Sequence, residues 1–247
     1  MNRVEDQQNR SGWRILIAGT GGQGVVTTAR LLCDCFVELG HQVVSGQLHG
    51  MAQRGGAVQS SVIIDAGISP VIARGRADFV VGLEPVETAR ALPFMSSHTL
   101  VYMNTAPVVP FVLAQRAVLQ EGDAEYPNVQ QLADLVRSVA PSTFSFAATQ
   151  FALEAGSAQA LNIVMLGCLL GSGSLPCTAD DFWSIVSKQV PPTAREANAK
   201  AFRKGVEFVR KGNQGPFAAQ PPGGFPAQEV PAPNGTACGY QYWQEAC

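Results

Sequence analysis

The sequence predicts an α/β protein, a Rossmann-like, doubly wound and mainly parallel sheet with helices on both faces. Three observations carry that expectation. Short apolar runs alternate along the chain with segments in which apolar residues recur at helical spacing. The first apolar run ends in closely spaced glycines that open the first helix, the local pattern of a strand–turn–helix unit. The 247 residues suffice for one sizeable core with an appendage.

Taken in order, Ile15-Leu16-Ile17-Ala18 reads as the first strand, residues 19–24 as a glycine loop, and 25–39 as a helix stopped by Gly40. Residues 41–45 read as the second strand and 46–57 as a polar, glycine-rich loop. Residues 58–65 form a third strand, with a hairpin-like continuation through Pro70. The apolar run 78–83 is a strand, and Glu84-Pro85 then opens a short helix to Ala91. Residues 98–103 are the next strand, ending at Asn104-Thr105, while 106–122 carries no clear pattern. A helix over 129–140 and a strand over 143–147 follow. The segment 159–170 is apolar almost all round, which predicts a buried helix. Two more helices, 180–189 and 193–211, are punctuated by Pro191-Pro192.

This gives a folded domain over 13–211 and a Pro-, Gly-, Ala- and Gln-rich tail over 212–247. The tail ends in Tyr240, Tyr242 and Trp243, flanked by Cys238 and Cys247. Two readings stay open for it: a segment without a core, or an arm that docks its aromatic side chains on a partner.

The charge balance excludes one function class. A net charge of −2, with no Lys/Arg stripe, leaves no electrostatic footprint for nucleic acid. No apolar run is long enough to span a membrane, and residues 1–10 are polar, unlike a secretory signal. Charged residues make up only 15%, which suits either a surface partly covered by a partner or a compact Ala/Gly-rich monomer. Cys33, Cys35, Cys168, Cys177, Cys238 and Cys247 show no Cys-x-x-Cys spacing, and Cys33 and Cys35 point to different faces of one helix. The expectation is reduced thiols in a cytoplasmic protein, with no zinc, iron–sulfur or other metal site of the chain's own.

The loop Gly19-Thr20-Gly21-Gly22-Gln23-Gly24 is the first candidate site. A strand, a glycine turn and a helix start bring backbone N–H groups and the positive end of the helix dipole to one small volume, which suits a phosphate or another anion. A turn that binds nothing is the alternative. A dinucleotide site would want Asp or Glu at the end of the second strand, but that strand reads His-Gln-Val-Val-Ser-Gly. No Lys-Ser/Thr follows the loop, so it is not an ATPase phosphate loop.

The second candidate is His49-Gly50-Met51-Ala52-Gln53-Arg54-Gly55-Gly56-Ala57-Val58. Following the second strand, it belongs at the same carboxyl edge as the glycine loop. Arg54 offers a fork for a carboxylate or phosphate, with His49 and Gln53 as polar orienters. A structural ion pair for Arg54 and a backbone hydrogen bond for His49 are the alternatives. Glu84 and Asn104 end strands at the same edge, although Glu84 also fits a cap for the helix entered at Pro85. Asn162, on the apolar helix, reads as a satisfied buried amide or as a ligand.

Residues 15–26 and 49–58 together resemble the gamma-type domain of 2-oxoacid:acceptor oxidoreductases, and the His-Gly-Met-Ala-Gln-Arg portion is most similar to the indolepyruvate type. Leu83-Glu84-Pro85, Asn104-Thr105, Asn162 and Gly167 are further matches. The likeness covers residues 13 to 211 and not the tail. It implies a subunit, inactive alone and without catalytic groups of its own, of a complex that oxidatively decarboxylates a 2-oxoacid to an acyl-coenzyme A. The resemblance places thiamine diphosphate and [4Fe-4S] clusters in a large alpha subunit, with ferredoxin or another acceptor beyond it. It implies that Thr20, Gly21, Gly22, Gln23, Gly24, His49, Gln53, Arg54, Glu84 and Asn104 shape the substrate or coenzyme A side of the site. The competing functions are a stand-alone nucleotide-binding module and an NAD(P)-dependent oxidoreductase.

Overall fold

A computed structural model describes residues 12–49, 55–108 and 126–212. The strands are β1 (Trp13–Thr20), β2 (Val43–His49), β3 (Ala57–Ile64), β4 (Phe79–Gly82), β5 (Leu100–Asn104) and β6 (Thr143–Phe146). The helices are α1 (Val25–Glu38), α2 (Pro85–Arg90), α3 (Val129–Val139), α4 (Ala148–Ala155), α5 (Leu161–Gly171), α6 (Ala179–Val186) and α7 (Pro192–Gly212). Among the described residues the strands form one sheet in the order β2-β3-β1-β4-β5-β6. The β1–β4, β4–β5 and β5–β6 pairs are parallel, and β3 runs antiparallel to both β1 and β2.

Alternation along the central strands builds two cores. Ile15, Ile17, Phe79, Val81, Leu100 and Tyr102 face one layer, formed with α1, α5, α6 and α7. Leu16, Ala18, Val80, Val101 and Met103 face the other, with Ala89 of α2 and Ala133 and Val136 of α3. Successive side chains on a strand point to opposite faces, so apolar runs such as 15–18 and 79–81 supply both layers at once.

Helix α5 is buried along nearly its whole length, as its sequence predicts. Its crossing with α7 is close: a Cβ at Gly167 would stand 2.2 Å from the Phe202 carbonyl oxygen, and one at Gly205 2.1 Å from that of Val164. Backbone meets backbone there because neither glycine carries a side chain.

Two sequence expectations are corrected. Residues 46–49 are strand rather than loop: β2 continues to His49, held by its pairing with β3 from Val43↔Ile64 to His49↔Val58. The glycine at 46 had argued for a loop, but Gly46 takes a ladder position opposite Ser61. Strand β3 returns antiparallel between β1 and β2. Helix α4 has no counterpart in the sequence reading. Its N-terminal residue Ala147 offers no side-chain cap, and the signal that was present is Gly156 at its C-terminus, with φ +112°. The tail from residue 213 onward lies outside the described residues.

Candidate functional site

The strand order places a crevice. After β1 the chain moves through α1 toward β2 and β3 on one face, whereas after β4 it moves through α2 toward β5 on the other. The carboxyl ends of β1 and β4 are therefore the topological switch point, where open α/β sheets leave room for a ligand. The glycine loop 19–24 and the Leu83-Glu84 corner form its two sides.

Gln23 spans that crevice. Its Oε1 accepts from the Thr20 amide at 2.8 Å, and its Nε2 donates to the Leu83 carbonyl at 3.1 Å. The Gln23 amide in turn donates to the Thr20 carbonyl at 3.1 Å, which closes the turn. The Gly21 amide donates to the Gly56 carbonyl at 2.9 Å. Gly56, immediately before β3, thus meets the glycine loop. Thr20, Gly21 and Gln23 spend their amides inside the protein.

The first helical bond of α1 runs from the Thr28 amide to the Gly24 carbonyl at 2.8 Å. The amides of Val25, Val26 and Thr27 precede it and have no intrahelical partner. Gly24 reaches this geometry with φ +84°, a conformation that L side chains rarely adopt. Asn162, at the start of α5, lies against it: a Cβ at Gly24 would be 3.1 Å from Asn162 Nδ2. Asn162 is 7% exposed. A helix start and a side-chain amide thus lie side by side, chemistry suited to an anion.

Glu84 is a cap. Its Oε2 accepts from the Glu87 amide at 2.9 Å, and its Oε1 accepts from Tyr126 Oη and from the Val108 amide at 3.4 Å. The carboxylate is buried and gathers α2, Val108 and Tyr126 at one point. Burial, then the hydrogen bond to Glu84, pushes the Tyr126 hydroxyl well above its ordinary pKa. Tyr126 carries no local sequence signal, because the contact joins positions distant along the chain. Glu87, one turn into α2, takes Arg90 Nη1 at 3.0 Å on Oε1, while Oε2 is buried without a partner. Burial pushes its carboxyl above the usual range, against the nearby Arg90 charge.

Asn104 is fully engaged. Its Nδ2 donates to the Leu83 carbonyl at 2.9 Å and to Thr149 Oγ1 at 3.0 Å, and its Oδ1 accepts from the Thr149 and Ala106 amides at 3.2 and 3.3 Å. It braces β5 to β4 and α4. His49 closes β2, paired in register with Val58. Gln53 and Arg54 lie outside the described residues.

This geometry weakens the dinucleotide reading. The strand beside β1 that would present a ribose-binding carboxylate is β3, which begins rather than ends at this edge. Strand β2 carries no acidic residue at all. Among the described residues no three His, Cys, Asp or Glu side chains converge as metal ligands. No helix among them is long and apolar enough to cross a membrane.

Fold and crevice define an α/β domain with a glycine loop and a helix start at the carboxyl edge of its sheet. The chain belongs to the pyruvate ferredoxin/flavodoxin oxidoreductase family, which it matches over residues 14–208. It is 33% identical to the indolepyruvate oxidoreductase subunit IorB of Archaeoglobus fulgidus, covering 80% of this chain and 96% of that one. It is 32% identical to the IorB subunit of Pyrococcus horikoshii, over 81% of this chain and 96% of the relative. Among solved structures, it shares its fold with the keto/oxoacid ferredoxin oxidoreductase gamma subunit of Geobacter sulfurreducens. That match has a TM-score of 0.57 at 23% identity, and covers 81% of this chain and 99% of the other. The pyruvate oxidoreductase subunit PORC of Thermotoga maritima gives a TM-score of 0.56 at 21% identity, over 80% and 97% of the two chains.

Proposed function

We propose that this chain is the subunit without redox centres of a cytoplasmic, thiamine diphosphate- and iron–sulfur-dependent 2-oxoacid:ferredoxin oxidoreductase acting on arylpyruvates of the indolepyruvate kind. The observation that carries the substrate class is the grading of relatives. Identity is 30–33% to four indolepyruvate oxidoreductase subunits, against 25% to a 2-oxoglutarate synthase subunit and 27% to a pyruvate synthase subunit.

In this reading a large alpha subunit holds the thiamine diphosphate and the [4Fe-4S] clusters and passes electrons to ferredoxin. The residues described here do not fit a cluster, since a cluster needs four convergent thiolates and no such set is formed. Thiamine diphosphate, where bound, supplies the carbanion-stabilising chemistry of decarboxylation. This chain's own residues bind and orient. The helix start at Val25, Val26 and Thr27, the Gly22–Gly24 turn and Asn162 receive an anionic group, either coenzyme A phosphate or a substrate carboxylate. Arg54 supplies the formal positive charge, and His49 and Gln53 orient it. Gln23, Glu84 and Asn104 hold the walls.

Co-expression with a large alpha subunit of the indolepyruvate type tests the proposal. The expected result is a brown complex that reduces ferredoxin with an arylpyruvate and coenzyme A, while this chain alone is colourless and inactive. Thiamine diphosphate or cluster absorbance in the isolated chain, or its unaided oxidation of NADH, would overturn it.

A further inference from the structure

Away from the crevice, two sulfurs distant along the chain are in contact. Cys35 lies on the buried face of α1, and Cys177 in the turn that leads into α6. Their Sγ atoms stand 3.9 Å apart, and no other two sulfurs touch among the described residues. Cys177 Sγ also lies 3.2 Å from the Thr178 carbonyl.

We infer that Cys35 and Cys177 form a latent disulfide, a modification site that peroxide-class oxidants convert into a covalent tie between α1 and the start of α6. A disulfide bond is about 2.05 Å long, so the sulfurs must approach by about 1.9 Å to form it. The two thiols are not equivalent. Cys35 is fully enclosed, whereas Cys177 is 8% exposed and offers the entry point. An oxidant from solvent therefore meets Cys177 first, and the thiolate it forms is the nucleophile.

The chemistry balances. Cys177 sulfur attacks the peroxide O–O bond, giving a sulfenic acid and one water. Cys35 sulfur then attacks the Cys177 sulfur and expels the hydroxyl as a second water. Two thiols and one hydrogen peroxide become one disulfide and two waters, with two electrons passing from sulfur to peroxide oxygen. The tie joins the helix opened by the glycine loop to a segment far along the chain, where a cross-link most restricts the unfolded state.

The test uses the full chain. The reduced protein is treated with hydrogen peroxide, remaining thiols are blocked with iodoacetamide, and unreduced peptides are mapped by mass spectrometry. The expected result is a Cys35–Cys177 linked peptide, lost on treatment with dithiothreitol. In Cys35→Ser, or in Cys35→Ala should the serine variant not fold, dimedone should instead capture a sulfenic acid on Cys177. Recovery of both thiols alkylated under conditions that oxidise Cys33 would overturn the inference. So would linkage of Cys177 to any other cysteine.

Discussion

The side-chain amides of Gln23 and Asn104 converge on one acceptor, the carbonyl oxygen of Leu83, at 3.1 and 2.9 Å. Leu83 is the first residue beyond β4, and its own amide donates to the Ala18 carbonyl at 2.8 Å. One backbone unit therefore ties the glycine loop, the end of β4 and the end of β5 into a single rigid edge. A site that binds through backbone donors depends on such a frame, because the donors cannot be repositioned by side-chain rotation.

Gln23→Ala removes the middle of that frame. It strands the Thr20 amide and takes one of two donors from the Leu83 carbonyl. The expected loss of stability is about 1–3 kcal/mol, read as a lowered urea midpoint with an unchanged slope. Activity of the assembled complex should fall with it, since the turn at residues 20–23 loses its side-chain brace to Leu83.

Gly24→Ala imposes a Cβ on a backbone at φ +84° and brings it to 3.1 Å from Asn162 Nδ2. The backbone term alone costs about 1–2 kcal/mol. Adding Asn162→Ala should relieve the contact but not the conformational cost, so the double variant recovers only part of the loss in a thermal melt. Full recovery would show that contact, not φ, sets the requirement for glycine.

Arg54→Ala should lower kcat/KM of the complex about tenfold, roughly 1.4 kcal/mol of lost binding to an anionic group. Subunit assembly, followed by size-exclusion chromatography, should be unchanged. Unaltered turnover would reduce Arg54 to a structural role.

Glu87 makes stability depend on pH with a definite sign. Its folded carboxyl titrates above the ordinary range because burial disfavours the charge. The folded chain then holds the proton more tightly than the unfolded chain. Stability from this group is therefore lost as pH rises from the usual carboxylate range through the folded value. Urea titrations at pH 4.5 and 7.5 should show the wild type losing ground to Glu87→Gln as pH rises. A constant gap between them would sink this account.

Much of this architecture was legible before any coordinates. The run 15–18, the glycines after it and the periodic segment from Val25 are local features, and they produced β1, its turn and α1 where expected. The apolar segment near 159–170 became a buried helix for the same reason, since lack of a polar face is a property of the segment itself. Glu84 before Pro85 was readable as a cap, and it accepts the Glu87 amide as a cap does.

Other features required the folded chain. Strand β3 returns antiparallel between β1 and β2, and strand order of this kind depends on which edges pair and not on local pattern. Gln23 reads as a loop polar residue until Leu83, 60 positions away, supplies its acceptor. Asn104 reads as a site ligand until Leu83 and Thr149 exhaust its amide. Tyr126 on Glu84 and Cys35 beside Cys177 carry no sequence signal at all. Periodicity, capping and turn chemistry act over a few residues and are written in the chain. Which buried donor meets which acceptor is decided only when distant segments share a wall, and in this protein that is what ties the glycine loop, β4 and β5 into one edge.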